Sequence, residues 1–200
     1  MPRDKTETNS KIIHYIREEF LNFGYEKASL NRVSAKVGIT TAALYKHFKN
    51  KEDMFRFLVK DTLDDLNEVN DSDIEQMNTM ADYDPFKPER ADFWVDFIFD
   101  HFEGLELLLC CSKGSPYESF EEDLISKESE ASIEYARIMK DRKSSVRDIS
   151  DMQWHILATA YIHLVFEIVR HHMTKEQARE HMRFISDLLY PGWKQLLDQQ

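Results

Sequence analysis

The chain has 200 residues, 42% hydrophobic and 12% aromatic, a content that excludes a disordered chain and can bury a sizeable core. Five glycines and five prolines predict long helices rather than many turns, so the expected class is all-α. The net charge of -11 divides unevenly: residues 1–62 carry 12 basic and 8 acidic side chains, and the remainder carries 14 and 29. The basic excess suits an anionic partner for the first part, whereas the acidic excess of the second either repels that partner or serves solubility.

The opening MPRDKTETNSK lacks the apolar run of an export signal, and the longest apolar stretch, residues 156–169, is interrupted by His163 and Glu167. A cytoplasmic chain without a membrane span is expected. Arg3 and Lys5 either meet a phosphate backbone or belong to an unstructured tail. From about Thr8 to Phe23, the spacing of Ile12, Ile13, Ile16, Phe20 and Phe23 predicts a helix with one apolar stripe, closed by Gly24.

Residues 29–48, SLNRVSAKVGITTAALYKHF, read as two short helices joined by a tight turn. Ser29 is the expected N-cap of the first, with Leu30, Val33 and Val37 inward, and Gly38 ends it in the left-handed conformation. Thr40 caps the second, which turns Leu44 and Phe48 inward and Thr41, Ala42, Tyr45, Lys46 and His47 outward from a helix ending near His47. Small, hydroxylated and basic residues on that face suit a helix entering a major groove about 12 Å wide.

Over residues 11–60 the sequence resembles the TetR-type one-component transcriptional regulators. Phe20, Gly24, Tyr25, Val33, Gly38, Leu44, Tyr45, Phe48, Lys51 and Glu52 carry the resemblance. Ile16 and Ser34 stand where that family usually has alanine, and residues 41–43 replace a stretch that often contains glycine, departures that point to repacking and altered sequence preference. The resemblance implies an N-terminal three-helix DNA-binding domain over residues 1–50. Residues 51–200 would form a C-terminal helical bundle for ligand binding and dimerisation. It further implies a repressor that binds a two-fold operator in double-stranded DNA as a homodimer and responds to a small effector. The candidate DNA contacts are Ser29, Arg32, Thr40, Thr41, Ala42, Tyr45, Lys46, His47 and Lys51. No cofactor is implied.

After Asn50 as N-cap, residues 51–70 form the next expected helix, with Glu52 and Asp53 at the positive end of its dipole. At 20 residues it spans about 30 Å, enough to be shared by both parts. The acidic residues 71–89, with Pro85 and Pro88, predict a short helix followed by a loop. Residues 93–109 are rich in bulk and predict the heart of the second core, divided into two helices at Gly104. Turn chemistry over residues 112–119 precedes a long helix ending at Met139.

Two further helices are expected over residues 149–172 and 174–189, the latter capped by Thr174, before Pro191, Gly192 and Trp193 break the chain and start a short terminal helix. The first of them is apolar on more than one face, which predicts pairing with its copy in a four-helix interface; Leu164, Phe166, Val169, Met173, Met182, Ile185 and Leu189 are the candidates. Trp94, Phe97, His101, Tyr135, Trp154 and Tyr161 line a ligand cavity or form plain core.

His155, His163 and His171 recur every eight residues, but no cysteine or carboxylate completes a metal set, so buried or capping roles are expected. Cys110 and Cys111 are adjacent, follow LELLL and are expected to be buried; they make neither a disulfide framework nor a metal motif. An enzyme on a helical bundle would need a nucleophile with its base, a phosphate loop or a di-metal carboxylate set, and no such set is complete. Control by a docked protein partner is the alternative to a small effector.

Overall fold

A computed structural model describes residues 5–142 and 147–197, so Arg3 lies outside the described residues. Among them the elements are α1 (Lys5–Lys27), α2 (Leu30–Val37), α3 (Thr41–Leu44), α4 (Lys51–Thr79), α5 (Arg90–Asp100), α6 (Phe102–Cys110), α7 (Phe120–Arg142), α8 (Asp151–Arg170) and α9 (Lys175–Leu197). The fold is all-helical, as the composition predicts. Contacts divide it into two units, one of residues up to 64 with 103–120, the other of residues 65–102 with 121 onward.

In the first unit Ile12, Ile16 and Phe20 of α1 meet Val33, Leu44 and Phe55 in a core where each is at most 1% exposed. Gly24 interrupts α1 with φ 69°, a backbone that glycine adopts without a Cβ penalty. The turned chain then gives the Tyr25 N–H to the carbonyl of Cys111 at 2.7 Å. Phe23, expected inward, is 45% exposed and instead carries the Arg32 guanidinium 4.2 Å above its ring.

The segment after residue 102 corrects the sequence reading. The division between α5 and α6 falls at His101, whereas Gly104 lies inside α6. A Cβ on Gly104 would stand 1.9 Å from Thr62 Oγ1, so glycine is there for close approach to α4 and not to end a helix. Leu105, Leu107 and Leu108 accordingly fill the core of the first unit, and Tyr117 stacks on Phe55 with ring centroids 5.9 Å apart.

In the second unit α4 continues to Thr79, nine residues beyond the expected end at 70. Met77 gives this weakly periodic stretch one deeply buried anchor, against Tyr135, Met139, Trp154 and Leu197. The last turn of α4 has no basic residue of its own. Arg142 supplies one from α7, its guanidinium donating to the carbonyls of Met77 at 3.2 Å, Met80 at 3.2 Å and Ala81 at 3.4 Å. Ser150 and Gln153 form a capping box at the start of α8.

The expected break at Pro191 does not occur: α9 runs through it to Leu197. Packing offsets the backbone hydrogen bond that proline forgoes. Trp193 lies 3.8 Å from Phe86 and 5.1 Å from Trp154 between ring centroids, and Leu197 is 5% exposed.

Candidate nucleic-acid interface

The start of α2 is held from α1. Ser29 has the extended backbone of an N-cap but makes no side-chain cap. Its N–H instead donates to Glu19 Oε1 at 2.8 Å, and Arg32 Nε donates to the same oxygen at 2.8 Å. Glu19 is 1% exposed and its Oε2 has no hydrogen-bond partner among the described residues. Nothing in the sequence marked this residue, because a glutamate on an amphipathic helix reads as solvated surface.

At the turn, Gly38 adopts φ 76° and ψ 37°, and the N–H groups of Gly38 and Ile39 both donate to the Ser34 carbonyl at 3.0 Å. This is the glycine closure the sequence predicts. Thr40 Oγ1 then accepts from the Ala43 N–H at 3.1 Å, capping α3. Ser34, at the position where alanine is usual in the family it resembles, is 4% exposed and lies 3.2 Å from Thr41 Oγ1, which donates to Asn31 Oδ1 at 3.0 Å.

Regular helix ends at Leu44 rather than near His47. Lys46 and His47 donate to the carbonyls three residues back, at 3.2 and 3.0 Å, so the chain tightens after one turn. Leu44 and Phe48 are buried as expected, while Ala42, Tyr45, Lys46 and His47 are exposed, Tyr45 at 48%. Lys49, which the sequence reading passed over, is also exposed beside them, and its position between Lys46 and Lys51 was the available signal.

The predicted contacts therefore separate. Ala42, Tyr45, Lys46 and His47 face outward, whereas Thr40, Thr41, Ser29 and Arg32 make internal bonds that hold the two helices. Lys51 does both: its Nζ donates to the Glu26 carbonyl at 3.2 Å and sits 4.6 Å over the Tyr25 ring. Burial lowers its pKa, opposed by the charges of Glu26 and Glu19. Asn50 Oδ1 accepts from the Asp53 N–H at 2.7 Å and starts α4 beside it. The Asp53 carboxyl is held below the usual carboxylate range, first by the Lys49 N–H and then by Arg56.

A cavity of about 350 Å³ lies within the second unit, walled by Phe86, Trp94, Leu157, Met182, Leu189 and Trp193 with Arg90, Glu128, Ser132 and Tyr161 among them. Of the expected pocket residues, Trp94 and Tyr161 line it and Tyr135 lines a neighbouring cavity. Phe97 and Trp154 are buried in packing, and His101 lies 3.3 Å from Asp65.

Four of the expected interface residues, Phe166, Val169, Met182 and Ile185, are at most 5% exposed and belong to the chain's own core. Leu164, Met173 and Leu189 are partly buried. The outward apolar residues of α8 and α9 are instead Met152, Ile156, Phe184 and Leu188, each more than half exposed. The doubled apolar face of α8 thus has a nearer cause: one face fills the core, and Met152 and Ile156 lie outside it.

Of the histidines expected to be buried or capping, none is buried, but His171 is the C-cap of α8, its N–H donating to the Glu167 carbonyl at 3.0 Å. His155 is exposed, His163 lies 3.4 Å from Glu121 and His171 2.8 Å from Glu167, both largely exposed. Cys111 is buried, but Cys110 is exposed. No helix among the described residues is long and apolar enough to cross a membrane.

A left-handed glycine between two short helices, with exposed donors following the second, has the geometry of a helix-turn-helix motif. Residues 12–57 match the family model described as bacterial regulatory proteins, tetR family. That stretch of the chain is thus similar to the DNA-binding part of the tetR family. An HTH-type transcriptional regulator of Staphylococcus aureus strain USA300 is 33% identical over 64 residues, 32% of this chain and 35% of that protein. Another, from the bovine strain RF122 / ET3-1, is 30% identical over 90 residues, 42% of this chain and 49% of that protein. The matches thus span between a third and a half of those relatives' length.

A solved TetR family transcriptional regulator from Chloroflexus aurantiacus J-10-FL shares the fold with a TM-score of 0.60 over 95% of this chain and 94% of its own, at 16% identity. A TetR-like regulator from Rhodococcus sp. RHA1 does so at 0.54 over 98% and 99%, at 11% identity.

Proposed function

We propose that the chain is a one-component transcriptional regulator, a repressor that binds a two-fold operator as a homodimer through its helix-turn-helix. The second unit would hold a small effector whose binding changes DNA affinity. The observation that carries this reading is the exposed set Ala42, Tyr45, Lys46 and His47 on a turn whose other polar groups are internally bonded. Met152, Ile156, Phe184 and Leu188 support pairing of two copies, since large exposed apolar side chains gathered on two neighbouring helices favour burial against a partner. The cavity supports a small effector over a docked protein. The similarity of residues 12–57 to the tetR family model supports a regulator over a helical-bundle enzyme.

An effector that takes the chain from almost wholly bound to almost wholly released must prefer the released form by about 5.5 kcal/mol. The test of the interface is fluorescence anisotropy on a selected duplex with the Tyr45→Ala and Lys46→Ala variants. Each is expected to weaken binding while the far-UV dichroism stays that of the parent. For the lysine the salt slope should fall by about 0.9 if it meets a phosphate. Unchanged affinity in both variants would remove these residues from the interface.

A further inference from the structure

Glu128 stands out among the walls of the second unit's cavity. It is partly buried on α7, and it lines both the 350 Å³ cavity and the neighbouring one of about 370 Å³. Among the described residues no hydrogen bond or ion pair satisfies its carboxylate. The charge of Arg90 is balanced by Asp73: Arg90 Nη2 donates to both oxygens of Asp73, at 2.8 and 2.7 Å, and Tyr83 donates its hydroxyl to Asp73 at 2.5 Å, while the buried Arg90 Nε has no hydrogen-bond partner among the described residues.

The groups facing Glu128 are therefore Asp73 from α4, Arg90 from α5 and Tyr161 from α8. Among these groups Arg90 and Asp73 cancel, Tyr161 is neutral, and Glu128 is left without a counterion; Lys87, also on the cavity wall, is exposed and donates to the Asp82 carbonyl at 3.2 Å. Burial first, and then Asp73, push the Glu128 carboxyl up to about 7, against the opposing pull of Arg90. An unpaired carboxylate in an apolar wall is costly unless something positive arrives to share the space. The rest of the wall suits the body of such a ligand, because the aromatic side chains of Phe86, Trp94 and Trp193 line it, and aromatic rings exclude water and attract cations.

We propose that this cavity binds an amphiphilic monocation, an organic amine or quaternary ammonium with an apolar body, whose charged head pairs with Glu128. The inference rests on reading the second unit as the effector-binding part. An organic anion is disfavoured because the Arg90 charge is balanced by Asp73, Lys87 at the cavity edge is exposed and donates to the Asp82 carbonyl at 3.2 Å, and Glu128 would repel it. A neutral amphiphile would gain the apolar contacts but leave the carboxylate unpaired.

The test is direct titration of the full chain with decyltrimethylammonium, decanoate and decanol, each below the concentration at which it aggregates. The fluorescence of Trp94 and Trp193 is the readout, and far-UV dichroism is recorded alongside. The cation should bind about tenfold or more tighter than the other two, the difference expected of a paired charge in a dry site. Glu128→Gln should abolish that preference while keeping the weaker apolar binding, and Glu122→Gln, on the exposed face of α7, should leave it intact. With the parent chain the preference should fade as pH drops below about 7, where the carboxyl takes up its proton, and should not vary with pH in Glu128→Gln.

Binding of decanoate as tight as the cation would overturn the proposal, as would a cation preference that survives Glu128→Gln, or no binding of any of the three. Operator affinity measured on the same preparations separates the two levels. DNA binding without cation binding sinks only the ligand class, whereas loss of specific DNA binding in the parent chain sinks the regulator reading itself.

Discussion

Replacing Glu19 with alanine tests how the helix-turn-helix is held. The carboxylate oxygen of this buried residue accepts the Ser29 N–H and the Arg32 Nε at 2.8 Å each. A hydrogen bond to a charged group contributes roughly 1.5–3 kcal/mol, and a buried donor left without an acceptor loses its full desolvation cost. The Arg32 side chain is 46% exposed, so solvent screens its share to about 0.5–1 kcal/mol or less.

Glu19→Ala should therefore cost about 2–4 kcal/mol, whereas Arg32→Ala should cost no more than about 1 kcal/mol. Glu19→Gln should fall between, since an amide oxygen still accepts from Ser29 but carries no charge. Urea denaturation of the three variants gives the ordering, and amide exchange at Ser29 and Val33 locates the loss in α2. If Glu19→Ala cost no more than Arg32→Ala, the surface ion pair rather than the buried acceptor would set the start of α2, and the reasoning would be refuted.

Gly104→Ala improves helix propensity by about 1 kcal/mol but drives a methyl to 1.9 Å from Thr62 Oγ1, and overpacking of this kind costs about 1–3 kcal/mol. A net loss of stability is expected, partly relieved by Thr62→Ala in the same chain; a more stable Gly104→Ala would contradict the contact. Thr40→Ala removes the cap on α3 and should cost about 1 kcal/mol in urea denaturation. Burial, with the charges of Cys110 and Glu106, pushes the Cys111 thiol up to about 11, so it stays protonated at pH 8, below that value. Iodoacetamide at pH 8 should label the exposed Cys110 and spare Cys111 when the peptides are mapped.

Local signals in the sequence were readable where they act locally. Gly38, Thr40 and Asn50 each satisfy backbone groups within four residues, and their roles follow from residue type and spacing alone. What escaped depends on distant partners. Gly104 reads as a helix breaker until Thr62 is seen against it, and Pro191 reads as a stop until Trp193 is found between Phe86 and Trp154. Residues 103–120 join the first unit although 38 residues of the other unit precede them in the chain, and only tertiary contacts reveal it.

The candidate site divided in the same way. The outward set on and just after α3 was legible because a short segment with Leu44 and Phe48 inward leaves few positions for the rest. The internal bonds of Arg32 and Thr41 were not, since basic and hydroxylated side chains serve a phosphate and a neighbouring carboxylate equally well. Glu128 had no signal at all: one acid among many on α7 is distinguished only by the cavity it faces.

The most direct test of the account is selection of genomic fragments by the purified chain, followed by stoichiometry and salt dependence on the enriched duplex. The account predicts a two-fold symmetric site occupied by an even number of chains, bound with an affinity that falls steeply with salt and is weakened by Tyr45→Ala. Enrichment no greater than that of random DNA, or specific binding that survives loss of Tyr45, Lys46 and His47 together, would contradict it.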